Sequence, residues 1–131
     1  MMSSFTAGEL EIMRILWDYG EQKPSEIQNR HPRRIKNAAL RFQLKILFEK
    51  GHIVRRKMGK AYYYKPVTPR KGAFKKMVRR IAEIYCQGST AGLIAELIKT
   101  EKLNEAEIQE LKQLAEEKRL THLTKKGGRK S

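Results

Sequence analysis

Ile53-Val54-Arg55-Arg56-Lys57-Met58-Gly59-Lys60-Ala61-Tyr62-Tyr63-Tyr64-Lys65-Pro66-Val67 is the stretch on which the fold turns. Residues 53–58 read as a strand and residues 61–67 as the returning strand, because β-branched and aromatic side chains suit a pleated surface. Gly59-Lys60 between them reads as a tight turn. Everything before this hairpin has a different period.

Working upstream, Leu40, Leu44, Leu47 and Phe48 stand at i, i+4, i+7 and i+8, which makes one apolar stripe on a helix from about Asn37 to Lys50. Gly51 follows as its expected stop. Pro32 biases its predecessor away from helix, so His31-Pro32-Arg33-Arg34 is expected to be a loop. Pro24 suits a first helical turn and opens a short helix that carries Ile27 inward and runs to about Arg30. The first helix begins at Thr6-Ala7-Gly8-Glu9. In this capping box Thr6 accepts from a backbone N–H and Glu9 reaches back. Leu10, Ile12, Met13, Leu16 and Trp17 follow at helical spacing, and Gly20 ends the run. Three helices followed by a β-hairpin make a winged helix-turn-helix.

Downstream, Thr68-Pro69 marks a boundary, and three more helical segments are expected. The first is about Lys71–Cys86, with Phe74, Met77, Val78, Ile81 and Ile84 on its apolar side. The second is about Thr90–Thr100, with Leu93, Ile94, Leu97 and Ile98. The third starts at a second capping box, Asn104 to Glu107, and carries Ile108, Leu111 and Leu114. The expected fold is therefore mainly α with a small β-hairpin wing: a winged helix-turn-helix domain over residues 1–68 and a three-helix region over 69–118. A basic tail, 119–131, is expected to be disordered. Three short amphipathic helices cannot bury their stripes well alone, since chains below about 40 residues rarely form a stable core unaided. Burial against a second copy is one solution, because two-fold dimers are the commonest oligomers. Folding back on the head as a monomer is the other. On the dimer reading Phe74, Met77, Ile81, Ile84, Leu93, Ile94, Leu97, Ile108, Leu111 and Leu114 form the interface.

Charge points to the partner. The chain of 131 residues has 29 Lys and Arg against 14 Asp and Glu, a net charge of +15. Most of that excess lies in residues 1–70. A strongly basic chain favours a polyanion such as nucleic acid. Cys86 is the single cysteine, so one chain has neither a disulfide framework nor a multi-cysteine metal site, and a reducing, cytoplasmic setting is expected. Met1-Met2-Ser3-Ser4-Phe5 has no basic n-region leading into an apolar run, so no secretory signal is expected. No apolar stretch approaches the roughly 18 residues of a membrane span.

Enzymatic motifs are not found. His31, His52 and His122 are scattered, and none is spaced with Cys, Asp or Glu as a zinc site requires. Neither a nucleophile elbow nor a phosphate-binding loop occurs. No catalytic residue, metal or cofactor is expected.

In a helix-turn-helix the second helix of the unit enters the major groove, its N-terminal residues nearest the base edges. Stepping about 100° per residue from Leu40 puts Ala38, Phe42, Lys45 and Glu49 on the outward face and Arg41 on one flank. Ala38 and Phe42 are suited to thymine methyl groups. Phe42 packing under the wing is the alternative. Lys36, Arg41 and Lys45 suit phosphates, which fix register without reading sequence. Ser25 and Asn37 lie at helix starts on the same expected surface. Arg55, Arg56, Lys57 and Lys60 make the wing cationic, and Tyr63 is the tyrosine expected on its exposed face. Cations interleaved with tyrosines also fit an RNA- or single-strand-binding module, which is the competing function.

Several stretches together carry a family resemblance. They are Gly8 through Trp17 (GELEIMRILW), Pro24-Ser25-Glu26-Ile27, Leu44 through Ile53 (LKILFEKGHI), Gly59 through Tyr64 (GKAYYY), Gly88-Ser89 and Leu103 through Leu111 (LNEAEIQEL). The chain resembles the penicillinase and methicillin-resistance repressor family, which also contains copper-responsive repressors. The resemblance implies a cytoplasmic homodimer that binds a palindromic double-stranded DNA operator and blocks transcription, with the interface near residues 71–118. In antibiotic-responsive members a membrane sensor protease cuts the second tail helix at an asparagine–phenylalanine pair. This chain has Glu96-Leu97 there, which leaves a protease partner without its usual site. Copper-responsive members carry paired Cys-x-Cys motifs that this tail lacks. The recognition helix departs as well. Members commonly have Ser and Thr where this chain has Lys36, Ala39 and Phe42, and Arg where it has Ile46, while Arg41 keeps the usual residue. The operator sequence therefore does not carry over.

Overall fold

A computed structural model of the chain describes residues 5–128, with side chains described through Lys118. Its elements run α1 (Ala7–Tyr19), α2 (Pro24–Arg30), α3 (Asn37–Glu49), β1 (Ile53–Met58), β2 (Ala61–Pro66), α4 (Arg70–Cys86), α5 (Thr90–Thr100) and α6 (Glu105–Gly128). The chain divides into two compact units, one up to Arg80 and one from Ile81.

In the first unit α1 starts as its sequence dictates. Thr6 Oγ1 accepts from the Glu9 backbone N–H at 3.1 Å, and Glu9 Oε1 accepts from the Thr6 N–H at 3.0 Å. Helix α3 ends in a Schellman motif. The Gly51 N–H donates to Phe48 O and the His52 N–H to Leu47 O, each at 3.0 Å. Gly51 takes φ +84° there, a value that a side chain would strain. The core holds most of the set the periodicity implies: Ile12, Met13, Leu16, Ile27, Leu40, Leu44 and Leu47 are fully buried, joined by Ile15, which the periodicity reading did not single out, and by Ile53 and Tyr64 from the hairpin. Phe48, expected on the same stripe, is instead 37% exposed, because it lies at the edge of that stripe with Arg55 over its ring.

Strands β1 and β2 pair antiparallel, from Ile53↔Pro66 to Met58↔Ala61. Residues directly opposite share a face, so Arg55, Lys57, Tyr62 and Tyr64 line the side facing the core, and Arg56 and Tyr63 line the other. Gln22 adds an isolated bridge to the edge of β2. Its N–H donates to Tyr64 O at 2.9 Å, and Tyr64 N–H returns 2.7 Å to Gln22 O.

The break between units falls inside α4 rather than at Thr68-Pro69. The first turn of α4 is bound to α1, because Arg70 Nη2 pairs with Asp18 Oδ1 at 2.5 Å and its guanidinium lies 5.4 Å from the Trp17 ring. Trp17 Nε1 also donates to Thr68 O at 2.8 Å. Residues 67–80 thus belong to the head.

In the second unit Ser89 caps α5, its Oγ accepting from the Gly92 N–H at 2.8 Å. Asn104 and Glu107 form the second capping box, with bonds of 2.8 and 2.9 Å. Helix α6 has helical backbone to Gly128. That departs from the disorder expected over most of 119–131, because the helical run opened by this cap meets no breaker before Gly127-Gly128. Residues 129–131 of that tail lie outside the described residues. Among the described residues, no helix is long and apolar enough to cross a membrane.

Candidate nucleic-acid interface

The site is built on α3 and on what holds α3 in place. The turn between α2 and α3 is pinned to α1. Arg33 Nη2 donates to Glu11 Oε1 at 2.6 Å, and the His31 imidazole, its side chain almost wholly buried, lies 3.5 Å from the same oxygen. Gln28 Nε2 donates to Ile35 O at 2.8 Å, which fixes the approach to the first turn of α3. At the other end Lys50 Nζ reaches the buried Glu9 carboxylate at 3.1 Å, joining the end of α3 to the start of α1.

The wing is fixed just as firmly. Arg56 makes a bidentate pair with Glu21, Nε to Oε2 at 2.8 Å and Nη2 to Oε1 at 2.9 Å. Those hydrogen bonds hold the Glu21 carboxyl below its ordinary value. Partial burial opposes them, and the charges of Arg56 and Lys65 act with them. On the opposite face Arg55 lies between two rings, 4.5 Å from Phe48 and 4.6 Å from Tyr62. Gln22 is buried, donates to Ile15 O and Gly20 O, and accepts from Arg30 Nη1 at 2.8 Å. One glutamine therefore ties α1, α2 and the wing together.

These restraints bring Ser25, Asn37, Arg41 and Lys60 around one cleft of about 220 Å³, together with Lys23, Pro24, Ala61 and Tyr62. Its walls are the first turns of α2 and α3 and the wing turn. Arg41 Nε donates to Asn37 Oδ1 at 2.9 Å, which leaves the rest of the guanidinium facing outward. Lys36 occupies the N-cap position of α3 without a side-chain cap bond, and it, Ala38, Phe42 and Lys45 are exposed along the outward side. Phe42 is 62% exposed, so it does not pack under the wing. Lys23 and Tyr62 line the cleft too, and sequence reasoning did not single them out. The only sequence signal was their adjacency to Pro24 and to the wing turn.

The three tyrosines separate. Tyr64 is core, Tyr63 is half-buried beside Arg56, and Tyr62 is covered on one side by Arg55. They do not form a continuous stacking row. Among the described residues, no group of three or more His, Cys, Asp or Glu is placed to hold a metal.

Of the ten residues assigned to a dimer interface, Phe74 and Met77 lie on the part of α4 within the first unit. Ile81 and Ile84 lie on the remainder of α4, Leu93, Ile94 and Leu97 on α5, and Ile108, Leu111 and Leu114 on α6. Ile81, Leu93 and Ile108 are half-buried, and the other seven are exposed.

A basic cleft between a recognition helix and a β-wing defines a winged-helix DNA-binding regulator. The chain matches the penicillinase repressor family over residues 5–117 and belongs to it; it is a DNA-binding transcriptional repressor and not an enzyme. Among solved structures it resembles the transcriptional regulator Tm0710 from Thermotoga maritima, at 18% identity and a TM-score of 0.50. That match covers 91% of this chain and 77% of that one. It also resembles an ArsR-like transcriptional regulator from Rhodococcus sp. RHA1, at 19% identity and a TM-score of 0.43, covering 72% of this chain and 82% of that one. No curated protein matches it by sequence.

Proposed function

We propose that the chain works in the cytoplasm as a homodimeric repressor of a palindromic operator. The α3 helix of each copy enters a major groove, and each wing follows the adjacent backbone. The observation that carries this reading is the cleft where Ser25, Asn37, Arg41 and Lys60 converge beside the outward face of α3. Lys36, Lys45 and Lys60 neutralise phosphates, and Arg41 keeps donors free beyond its bond to Asn37. Arg56 holds the wing by its pair with Glu21 and offers the remaining edge of its guanidinium outward.

Dimerisation is supported by the apolar side chains left in solvent on α5 and α6, where Ile94 is 57% and Leu97 54% exposed. A groove lined by Leu103, Leu111 and Leu114 with Glu107, Glu110 and Glu117 adds to that surface. A second copy would bury both. Glu96-Leu97 lies within the regular part of α5, and Glu96 pairs with Lys99 at 3.6 Å, so the segment offers a protease no extended backbone while α5 is intact.

The test is nuclease footprinting with sedimentation on the same preparation. A two-fold footprint with half-site centres about one helical turn or a multiple apart is expected, with a dimer at micromolar concentration. A monomer, or preference for single strands over duplex, would overturn the reading.

A further inference from the structure

The outward face of α3 is chemically odd for a helix in a cationic surface. Lys36 and Arg41 flank it, and Lys45 and Glu49 lie along it toward the C-terminal end, all exposed, yet its N-terminal turns present Ala38 and Phe42. The Phe42 ring is 62% exposed, and among the described residues no aromatic or cationic side chain stacks on it. The amide capable of bidentate contact with adenine, Asn37, already accepts from Arg41 Nε at 2.9 Å. That bond occupies one edge of each of the two side chains best suited to hydrogen-bond readout.

A second copy does not fit as the occupant of this patch, because an isologous contact would set the same cations against one another. A duplex satisfies both features. Its phosphates answer the surrounding charge, and its major groove presents one apolar group, the thymine C5-methyl. Phe42 is one turn beyond Ala38, so the two form a continuous apolar surface on the α3 face.

We infer that Phe42, with Ala38 beside it, selects operators by contact with thymine C5-methyl groups, so that sequence is read by methyl burial more than by bidentate hydrogen bonds. This rests on the reading that α3 enters the major groove.

The test starts by selecting tight duplexes from a random pool with the full chain. Each thymine of the selected duplex is then replaced by deoxyuridine, which removes only the methyl. Titrations are run at one fixed salt concentration. Synthetic duplexes contain no 5-methylcytosine, so any effect belongs to thymine. Burial of one methyl corresponds to roughly a fourfold change in affinity. One or two positions per half-site are expected to weaken by about that factor. In Phe42→Ala the difference between thymine and deoxyuridine disappears there, while its thermal melting stays that of the parent. Lys45→Ala weakens both duplexes alike. Equal affinity of the parent chain for thymine and deoxyuridine at every position overturns the inference while leaving α3 as the DNA-contacting helix. So does a full difference retained by Phe42→Ala. Failure to select any duplex overturns the underlying reading as well.

Discussion

The two compact units solve the same problem differently. The head buries its apolar stripes against one another: α1 supplies Ile12, Met13 and Leu16, α3 supplies Leu40, Leu44 and Leu47, and the hairpin closes the set with Ile53 and Tyr64. From Ile81 onward, Ala82 is the one buried residue among those whose side chains are described, while Ile84, Ile94, Leu97, Leu111 and Leu114 stand in solvent. Apolar stripes of the same kind on α1, α3, α4 and α5 thus have unequal outcomes. A helix whose stripe meets another within the chain completes a core, and a helix whose stripe meets none presents a surface for assembly. On the proposed function, that contrast would separate a DNA-reading module from a pairing module.

Four changes would break or sharpen it. Leu44→Ala removes a fully buried side chain from the head and should cost about 2–5 kcal/mol in denaturant unfolding. Leu97→Glu, on an exposed face, should leave head melting unchanged yet weaken dimerisation at least about tenfold by sedimentation, since an unpaired carboxylate in an apolar interface is strongly unfavourable. Unchanged association would remove Leu97 from the interface. Glu21→Gln keeps the shape of the wing anchor and removes its charge. It should lower duplex affinity several-fold through a loosened wing, with little loss of stability because the pair is exposed. An unaltered affinity would show that the backbone bridge between Gln22 and Tyr64 holds the wing unaided.

The smallest effect concerns pH. Burial, then the Lys50 charge, push the His52 imidazole below its ordinary value. Glu9 pulls the other way, and Lys76 adds to the lowering. His52 Nδ1 is hydrogen-bonded to Thr68 Oγ1 at 2.7 Å, and the ring rests 4.3 Å from Phe5. With its folded value depressed, the unfolded chain binds the proton more readily. Head stability is therefore complete above the ordinary histidine range and declines as pH falls through that range to the lowered value. The pH dependence of chemical unfolding should show this slope, and His52→Gln should flatten it.

Much of the secondary structure could be read along the chain because its signals are local. The capping boxes at Thr6 and Asn104, the stop at Gly51 and the turn at Gly59-Lys60 each depend on a few neighbouring residues. The candidate site was legible in part: of the residues singled out along the chain, the structure brings Ser25, Asn37, Arg41 and Lys60 to one cleft. The anchors were not. Glu21 and Arg56 are 35 residues apart, and Glu9 and Lys50 are 41 apart. No spacing rule links such pairs, because their proximity follows from how whole elements pack. For the same reason the head reaches past Thr68-Pro69: Arg70 finds Asp18 and Trp17 only once α1 and the hairpin are in place.

By itself the sequence determined the order of helices and strands, most of the aliphatic core and the net positive charge of the chain. These are consequences of periodicity, capping and composition, which act over one or two turns of chain. Tertiary structure alone decided which cations are free and which are anchors, that Tyr64 is core while Tyr62 and Tyr63 lie at the edges, and that Phe42 stands in solvent on the outward face of α3. Each of these depends on what lies opposite a side chain in space, and burial, pairing and exposure are properties of that opposite surface.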